Sequence, residues 1–188
     1  TDFINHFWYQ RPITIPQEWS GKNILLNFGA VYYKSEVYID GVLANRHFGG
    51  TSSFAVDITS LVKPGQTHSL VVYVESNVRG AKQAAGKQNL QYASYGCNYT
   101  RTTGIWQTVW MEWVPEAYIQ RVRLIPDIDR GELELTVFAS RPGEGTAVLQ
   151  GERFPFTVGT PVRLPVQDQR LWSPDDPWLY PLELHFGE

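Results

Sequence analysis

Hydrolysis of a glycosidic bond needs two carboxyl groups held roughly 5 to 9.5 Å apart, one of them able to stay protonated. The acids of this chain suggest no such pair. Asp40 and Asp57 sit at turns, Asp127 and Asp129 follow Pro126, and Asp175-Asp176 lie within Ser-Pro-Asp-Asp-Pro. Each reads as a turn-forming or solvated acid, so no catalytic residue is assigned. His6, His47, His68 and His185 are scattered without close ligand spacing and read as surface or packing histidines. Asp127-Ile128-Asp129 is a fragment of a calcium-loop pattern whose remainder is missing. Cys97 is the only cysteine, which excludes an intrachain disulfide and a thiolate zinc site. Acyl chemistry has no Gly-x-Ser-x-Gly elbow, and Gly49-Gly50 and residues 80–86 lack the strand-loop-helix setting of a phosphate cradle. No metal and no cofactor is expected.

The stretch with the most unusual chemistry is residues 75–104, ESNVRGAKQAAGKQNLQYASYGCNYTRTTG, which shows neither strand alternation nor an amphipathic helix. Loops beyond about 12 to 15 residues without structure of their own are uncommon in compact domains and are usually functional or disordered. Here Tyr92, Tyr95 and Tyr99 supply flat apolar rings beside the amides and guanidinium of Asn89, Gln91, Asn98 and Arg101. That mixture suits stacking on a sugar ring and hydrogen-bonding its hydroxyls. The plain alternative is an Ω-loop packed by its own tyrosines.

The elements that must carry this loop are strands. Short β-rich runs recur between turn signals at 7–13, 22–28, 35–39, 69–74, 106–113, 118–125, 132–138, 153–158 and 179–186. Ile24, Leu26 and Phe28, and again Leu70, Val72 and Val74, give inner faces of period two, so packed antiparallel sheets are expected. Asp40-Gly41 between apolar runs predicts a tight hairpin, and Lys63-Pro64-Gly65 another turn. The run 106–113 is apolar on both faces, with Ile105, Val109 and Met111 on one side and Trp106 and Trp110 on the other, so one face is expected to meet a second module. Pro115 follows at once and cannot donate to a ladder, which places the division there: residues 1–114, then 115–188. The second stretch has the size of an immunoglobulin-like sandwich whose last strand is expected past Glu188.

Composition narrows the partners. The chain has 188 residues, 43% hydrophobic and 19% charged, with a formal net charge of -3 and no Lys/Arg run, so nucleic acid is not an expected partner. Its apolar stretches are far short of a bilayer span, so no membrane partner is expected either. The opening TDFINHFWYQR has no basic region followed by an apolar run, and a strand pattern begins near residue 7, as expected of a segment from a longer protein.

An ordered set of motifs carries a resemblance to a known family. Trp8-Tyr9-Gln10-Arg11, Ile15-Pro16-Gln17-Glu18-Trp19, Asn27-Phe28-Gly29-Ala30-Val31, Val37-Tyr38-Ile39-Asp40-Gly41, His47-Phe48-Gly49-Gly50, Phe54-Ala55-Val56-Asp57-Ile58-Thr59 and Thr103-Gly104-Ile105-Trp106-Gln107-Thr108-Val109-Trp110 together resemble the amino-terminal sugar-binding domain of glycoside hydrolase family 2. Residues 115–188 resemble that family's next module, with Leu171-Trp172-Ser173-Pro174 and Pro177-Trp178-Leu179-Tyr180 matching a late strand pair. The resemblance implies an all-β chain: a jelly-roll-type sandwich followed by an immunoglobulin-like sandwich. It implies retaining exo-β-glycosidases acting on β-galactosides, β-glucuronides or β-mannosides, with both catalytic Glu residues on a (β/α)₈ barrel that this chain lacks. The chain's partners would then be that barrel and, through it, a carbohydrate substrate. Gly86-Lys87-Gln88 with Tyr99-Thr100-Arg101 is most similar to the β-galactosidase-like members. Where several members place a substrate-binding acid, six positions before the Gly of the last motif, this chain has Asn98, and Asn98, Tyr99 and Arg101 become the expected substrate-facing residues.

Two other roles fit the same residues. A free-standing carbohydrate-binding module would need an exposed aromatic platform, for which Trp19, Tyr32, Tyr33 and Tyr38 are candidates. A structural spacer would use the Trp106 and Trp110 faces as glue.

Overall fold

The computed structural model describes residues 3–80 and 82–187. The chain divides into two compact units, Thr1–Val114 and Pro115–Glu188. In order, the first carries β1 (His6–Thr14), β2 (Asn23–Phe28), β3 (Val31–Tyr32), β4 (Lys34–Ile39), β5 (Val42–Phe48), β6 (Phe54–Asp57), β7 (Thr67–Glu75), β8 (Gly104–Ile105) and β9 (Val109–Val114). A four-stranded antiparallel sheet, β1-β7-β4-β5, and a three-stranded one, β6-β2-β9, make a jelly-roll-type sandwich, and β3 pairs with β8.

Period-two patterning builds its core. Leu70, Val72 and Val74 of β7, Val37 and Ile39 of β4, and Ile24, Leu26 and Phe28 of β2 are all buried in one cluster. Each such aliphatic or aromatic side chain contributes about 1.5 to 3 kcal/mol on burial. Phe28 also stacks on Phe54, with ring centroids 4.8 Å apart. β2 is the central strand of its sheet and is covered on both sides, since Leu25 and Asn27 are buried too. Asn27 meets its hydrogen-bonding need there by donating to Glu112 Oε1 at 2.8 Å.

The β4–β5 hairpin turns on Asp40-Gly41, both with positive φ, 48° and 81°. That is the backbone a two-residue primed turn requires. Asp40 then ties the turn to β7. It accepts the Ser69 N–H at 2.7 Å and pairs with His68 Nδ1 at 2.6 Å. Lys63 N–H donates to His68 Nε2 at 2.9 Å, so that nitrogen is the acceptor and Nδ1 carries the proton given to Asp40. His68 is thus a buried packing histidine with both nitrogens satisfied.

The second unit carries β10 (Ile119–Asp127), β11 (Glu132–Ala139), β12 (Glu144–Leu149), β13 (Glu152–Thr157), β14 (Val162–Pro165) and β15 (Leu182–Phe186). Two three-stranded sheets, β10-β11-β14 and β13-β12-β15, enclose Leu135, Val137, Ala147, Leu149, Phe156 and Leu164 in an immunoglobulin-like sandwich. The prolines inside strands, Pro12, Pro126, Pro155 and Pro165, all lie on strands at a sheet edge, where a missing N–H costs no ladder bond on the open side.

Some elements differ from the sequence expectation. The run 106–113 is strand only from Val109, because Trp106 lies in the connection and its indole N–H donates to Gly50 O at 2.7 Å. Trp172 and Trp178 are not a strand pair. Ser173 and Asp176 exchange backbone hydrogen bonds of 3.0 and 3.1 Å, and the Arg170 guanidinium holds Asp176 while lying 4.4 Å from the Trp178 ring centre. Strand formation resumes at Leu182.

Candidate functional site

The segment from Ser76 to Thr103 joins β7 to β8 and is organised by its own amides. Asn89 is buried, donates to Ala93 O at 2.6 Å and accepts Gln91 N–H at 2.8 Å. Gln88 Oε1 accepts Thr102 N–H at 2.9 Å, and Gln83 Oε1 accepts Asn77 N–H at 3.1 Å. Residues 87–89 and Tyr99 run side by side, with Tyr99 N–H to Lys87 O and Asn89 N–H to Tyr99 O both at 2.8 Å. This is an Ω-type loop in which side-chain amides replace a sheet ladder. Asn89, expected from its residue type to face a sugar, is instead spent on the loop's own closure.

The base of the loop is fixed to the sandwich from two directions. Tyr32, on β3, donates its hydroxyl hydrogen bond to Ala84 O. At the return, Gly104 has φ +77° and packs so tightly that a Cβ there would sit 2.2 Å from the Tyr9 hydroxyl and 2.6 Å from the Phe7 ring. Only glycine meets both demands. The motif Thr103-Gly104-Ile105 therefore marks the point where the loop is pinned to β1.

At the far end, Tyr95 and Asn98 form a two-residue turn over Gly96-Cys97, exchanging backbone hydrogen bonds of 3.2 and 2.9 Å. The turn holds Asn98 half-buried at the edge of a cavity of about 380 Å³ lined by Gln88, Asn89, Leu90, Gln91 and Tyr95 among others. The Asn98 side-chain amide has no hydrogen-bond partner among the described residues, so it can donate to and accept from a hydroxyl. Tyr99 shows an open ring face, 61% exposed, and Tyr92 and Tyr95 are exposed as well. Arg101 is engaged within the loop: it donates to Gln91 O at 2.6 Å and its guanidinium lies 3.6 Å from the centre of the Phe3 ring. Arg79 covers the same ring at 4.2 Å. The Phe3 contact could not be read from spacing, because the two residues are nearly a hundred positions apart.

Several of the acids are occupied elsewhere. Asp57 accepts from the Thr59 N–H and hydroxyl at the end of β6, Asp127 accepts Arg130 N–H at 3.1 Å, and Asp176 is paired with Arg170. Glu36 lies between Arg46 and the Tyr38 hydroxyl, which together hold its carboxyl below the ordinary range. Among the described residues no group of three His, Cys, Asp or Glu side chains is placed to hold a metal.

A family model described as the glycosyl hydrolase 2 galactose-binding domain-like family matches residues 4–118. A β-glucuronidase of Paenibacillus borealis is 24% identical over 97% of this chain, which spans 33% of that protein. A β-galactosidase of Thermoanaerobacter pseudethanolicus is 23% identical over 92% of the chain, which spans 25% of it. Among solved structures, a β-glucuronidase from Ruminococcus gnavus superposes with a TM-score of 0.78 at 21% identity, over all of this chain and 34% of that one. The β-glucuronidase of Dictyoglomus thermophilum gives 0.75 at 23%, over all of this chain and 35% of that one. The structural likeness shows the shared fold, and the chain spans between 25% and 35% of these relatives' lengths.

Proposed function

The chain belongs to the glycosyl hydrolase 2 family through its galactose-binding-like domain at residues 4–118, and on that premise we propose that it supplies non-catalytic accessory modules to a retaining β-glycosidase. The bond-breaking carboxylates belong, in this reading, to another part of the enzyme. The first unit lends its 76–103 loop to the rim of the substrate pocket. The supporting observation is Asn98: a half-buried amide with no side-chain hydrogen bond among the described residues, set at the turn of a loop in which Gln83 Oε1, Gln88 Oε1 and the Asn89 amide bond the loop's own backbone. Asn98 hydrogen-bonds a substrate hydroxyl and Tyr99 offers a ring face beside it. Arg101 acts through the loop, by clamping the 89–91 segment and Phe3. The names of the relatives favour a β-glucuronide or β-galactoside as substrate.

The test is Asn98→Ala in the enzyme that carries this chain, assayed on 4-nitrophenyl β-glycosides. Loss of one or two substrate hydrogen bonds lowers kcat/KM by about 1 to 3 kcal/mol of transition-state stabilisation. Unchanged kinetics would remove Asn98 from the site.

A further inference from the structure

The strand register of the β1-β7-β4-β5 sheet aligns a row of side chains on its outer face that the loop reading does not use. Trp8 lies opposite Tyr73, Tyr73 opposite Glu36, and Glu36 opposite Arg46, so the row crosses all strands of the sheet. With strands about 4.8 Å apart it spans roughly 14 Å, enough for two or three pyranose rings of about 5 Å each.

Polar partners orient Tyr73 and Tyr38, and Trp8 is held by its contacts with those two rings. The Trp8 and Tyr73 centroids are 4.6 Å apart, and Tyr73 shares a 2.6 Å hydrogen bond with His6. Tyr38, on the adjoining row, stands 6.3 Å from Trp8 and hydrogen-bonds Glu36, which Arg46 holds at 2.8 Å. Trp8 nonetheless remains 63% exposed. Of the platform residues expected from sequence, only Tyr38 is part of this face. Tyr32 is buried and Trp19 packs against the core.

Cross-strand aromatic pairing explains why Trp8 and Tyr73 touch. It does not explain an indole left open on the same face as an ordered carboxylate and guanidinium. A dry protein interface would have to desolvate the exposed Glu36–Arg46 and Lys34–Glu75 ion pairs on this face. A sugar avoids that cost. Its C–H face covers a ring while its hydroxyls hydrogen-bond charged groups that stay wet.

We infer that the outer face of the β1-β7-β4-β5 sheet is a carbohydrate-binding site separate from the loop, in which Trp8 and Tyr73 stack on one pyranose and Glu36 and Arg46 hydrogen-bond the hydroxyls of the next ring along the row. The ligand class is a linear β-linked oligosaccharide or polysaccharide chain. The test titrates the 188-residue chain with xylotetraose, cellotetraose, β-1,4-galactotetraose and mannotetraose to about 10 mM, above the millimolar dissociation constants expected of a weak site. Two-dimensional NMR should show the Trp8 indole N–H and amides of β1, β7 and β4 shifting with at least one of them. Trp8→Ala should weaken that binding at least tenfold, about 1.4 kcal/mol, and Arg46→Met should weaken it with the Ile39 and Val72 methyl signals unmoved. Silence with all four sugars, shifts confined to residues 76–103, or undiminished binding by Trp8→Ala would each overturn the inference. Neither Trp8 nor Arg46 belongs to that loop, so failure here leaves the role of Asn98 standing.

Discussion

Gly104→Ala tests the anchoring of the loop. Alanine at φ +77° pays about 1 to 2 kcal/mol for the left-handed backbone. Its methyl must also displace the Tyr9 hydroxyl and the Phe7 ring, at 2.2 and 2.6 Å, an overpacking cost of about 1 to 3 kcal/mol. The sum, roughly 2 to 5 kcal/mol, is a large part of the usual stability of a domain. Urea unfolding followed by tryptophan fluorescence reads it, because Trp8, Trp19, Trp106, Trp110 and Trp113 all lie in the first unit. The midpoint should fall with little change in slope, and the loss should be assigned only to that unit's transition. Adding Tyr9→Phe removes the nearest clash and leaves the Phe7 contact, so the double variant should recover part of the loss. A change below about 0.5 kcal/mol in Gly104→Ala would refute the claim that backbone and packing both demand glycine here.

Other perturbations have outcomes of different kinds. Asn89→Ala should strip amide-exchange protection from residues 87–101 while leaving β4 and β7 protected, since its bonds close the loop and not the core. Phe28→Ala, fully buried against Phe54, should cost about 3 to 5 kcal/mol in denaturant unfolding. His68 and the Ser69 N–H hold the Asp40 carboxyl below its ordinary value, so its contribution is present above the unfolded carboxylate pKa and disappears as pH falls through the depressed one. Asp40→Asn should therefore lower stability at neutral pH and flatten the acid limb, measured as urea midpoints from neutral pH to about pH 3. Tyr32→Phe should speed exchange at residues 82–90, having removed the bond to Ala84 O.

The sandwich cores were legible because burial imposes a period of two, which Leu70, Val72 and Val74 display without interruption. Strand β5 was harder to read. The register shift between Val37 and Tyr38 puts an extra residue in the hairpin, and Val42 to Phe48 lose their alternation. β12, rich in small residues, and the four-residue β14 carry too little apolar signal to stand out. The 76–103 loop was visible as an anomaly of length and content. Its internal order was not, because Asn89 and Asn98 are the same residue type in the same loop, and only the folded turn that closes the Asn89 side chain onto Ala93 O and the Gln91 N–H separates them. The row from Trp8 to Arg46 was likewise hidden, since it exists only across strands brought together from distant parts of the chain.

Outer strands interrupted by proline also govern how copies of this polypeptide behave toward one another. A strand arriving from a second molecule would seek an unbroken series of amide hydrogens along the rim, and Pro12, Pro126, Pro155 and Pro165 each leave a gap in one. Along β1, β10, β13 and β14 those gaps disfavour fibrous stacking through the rim.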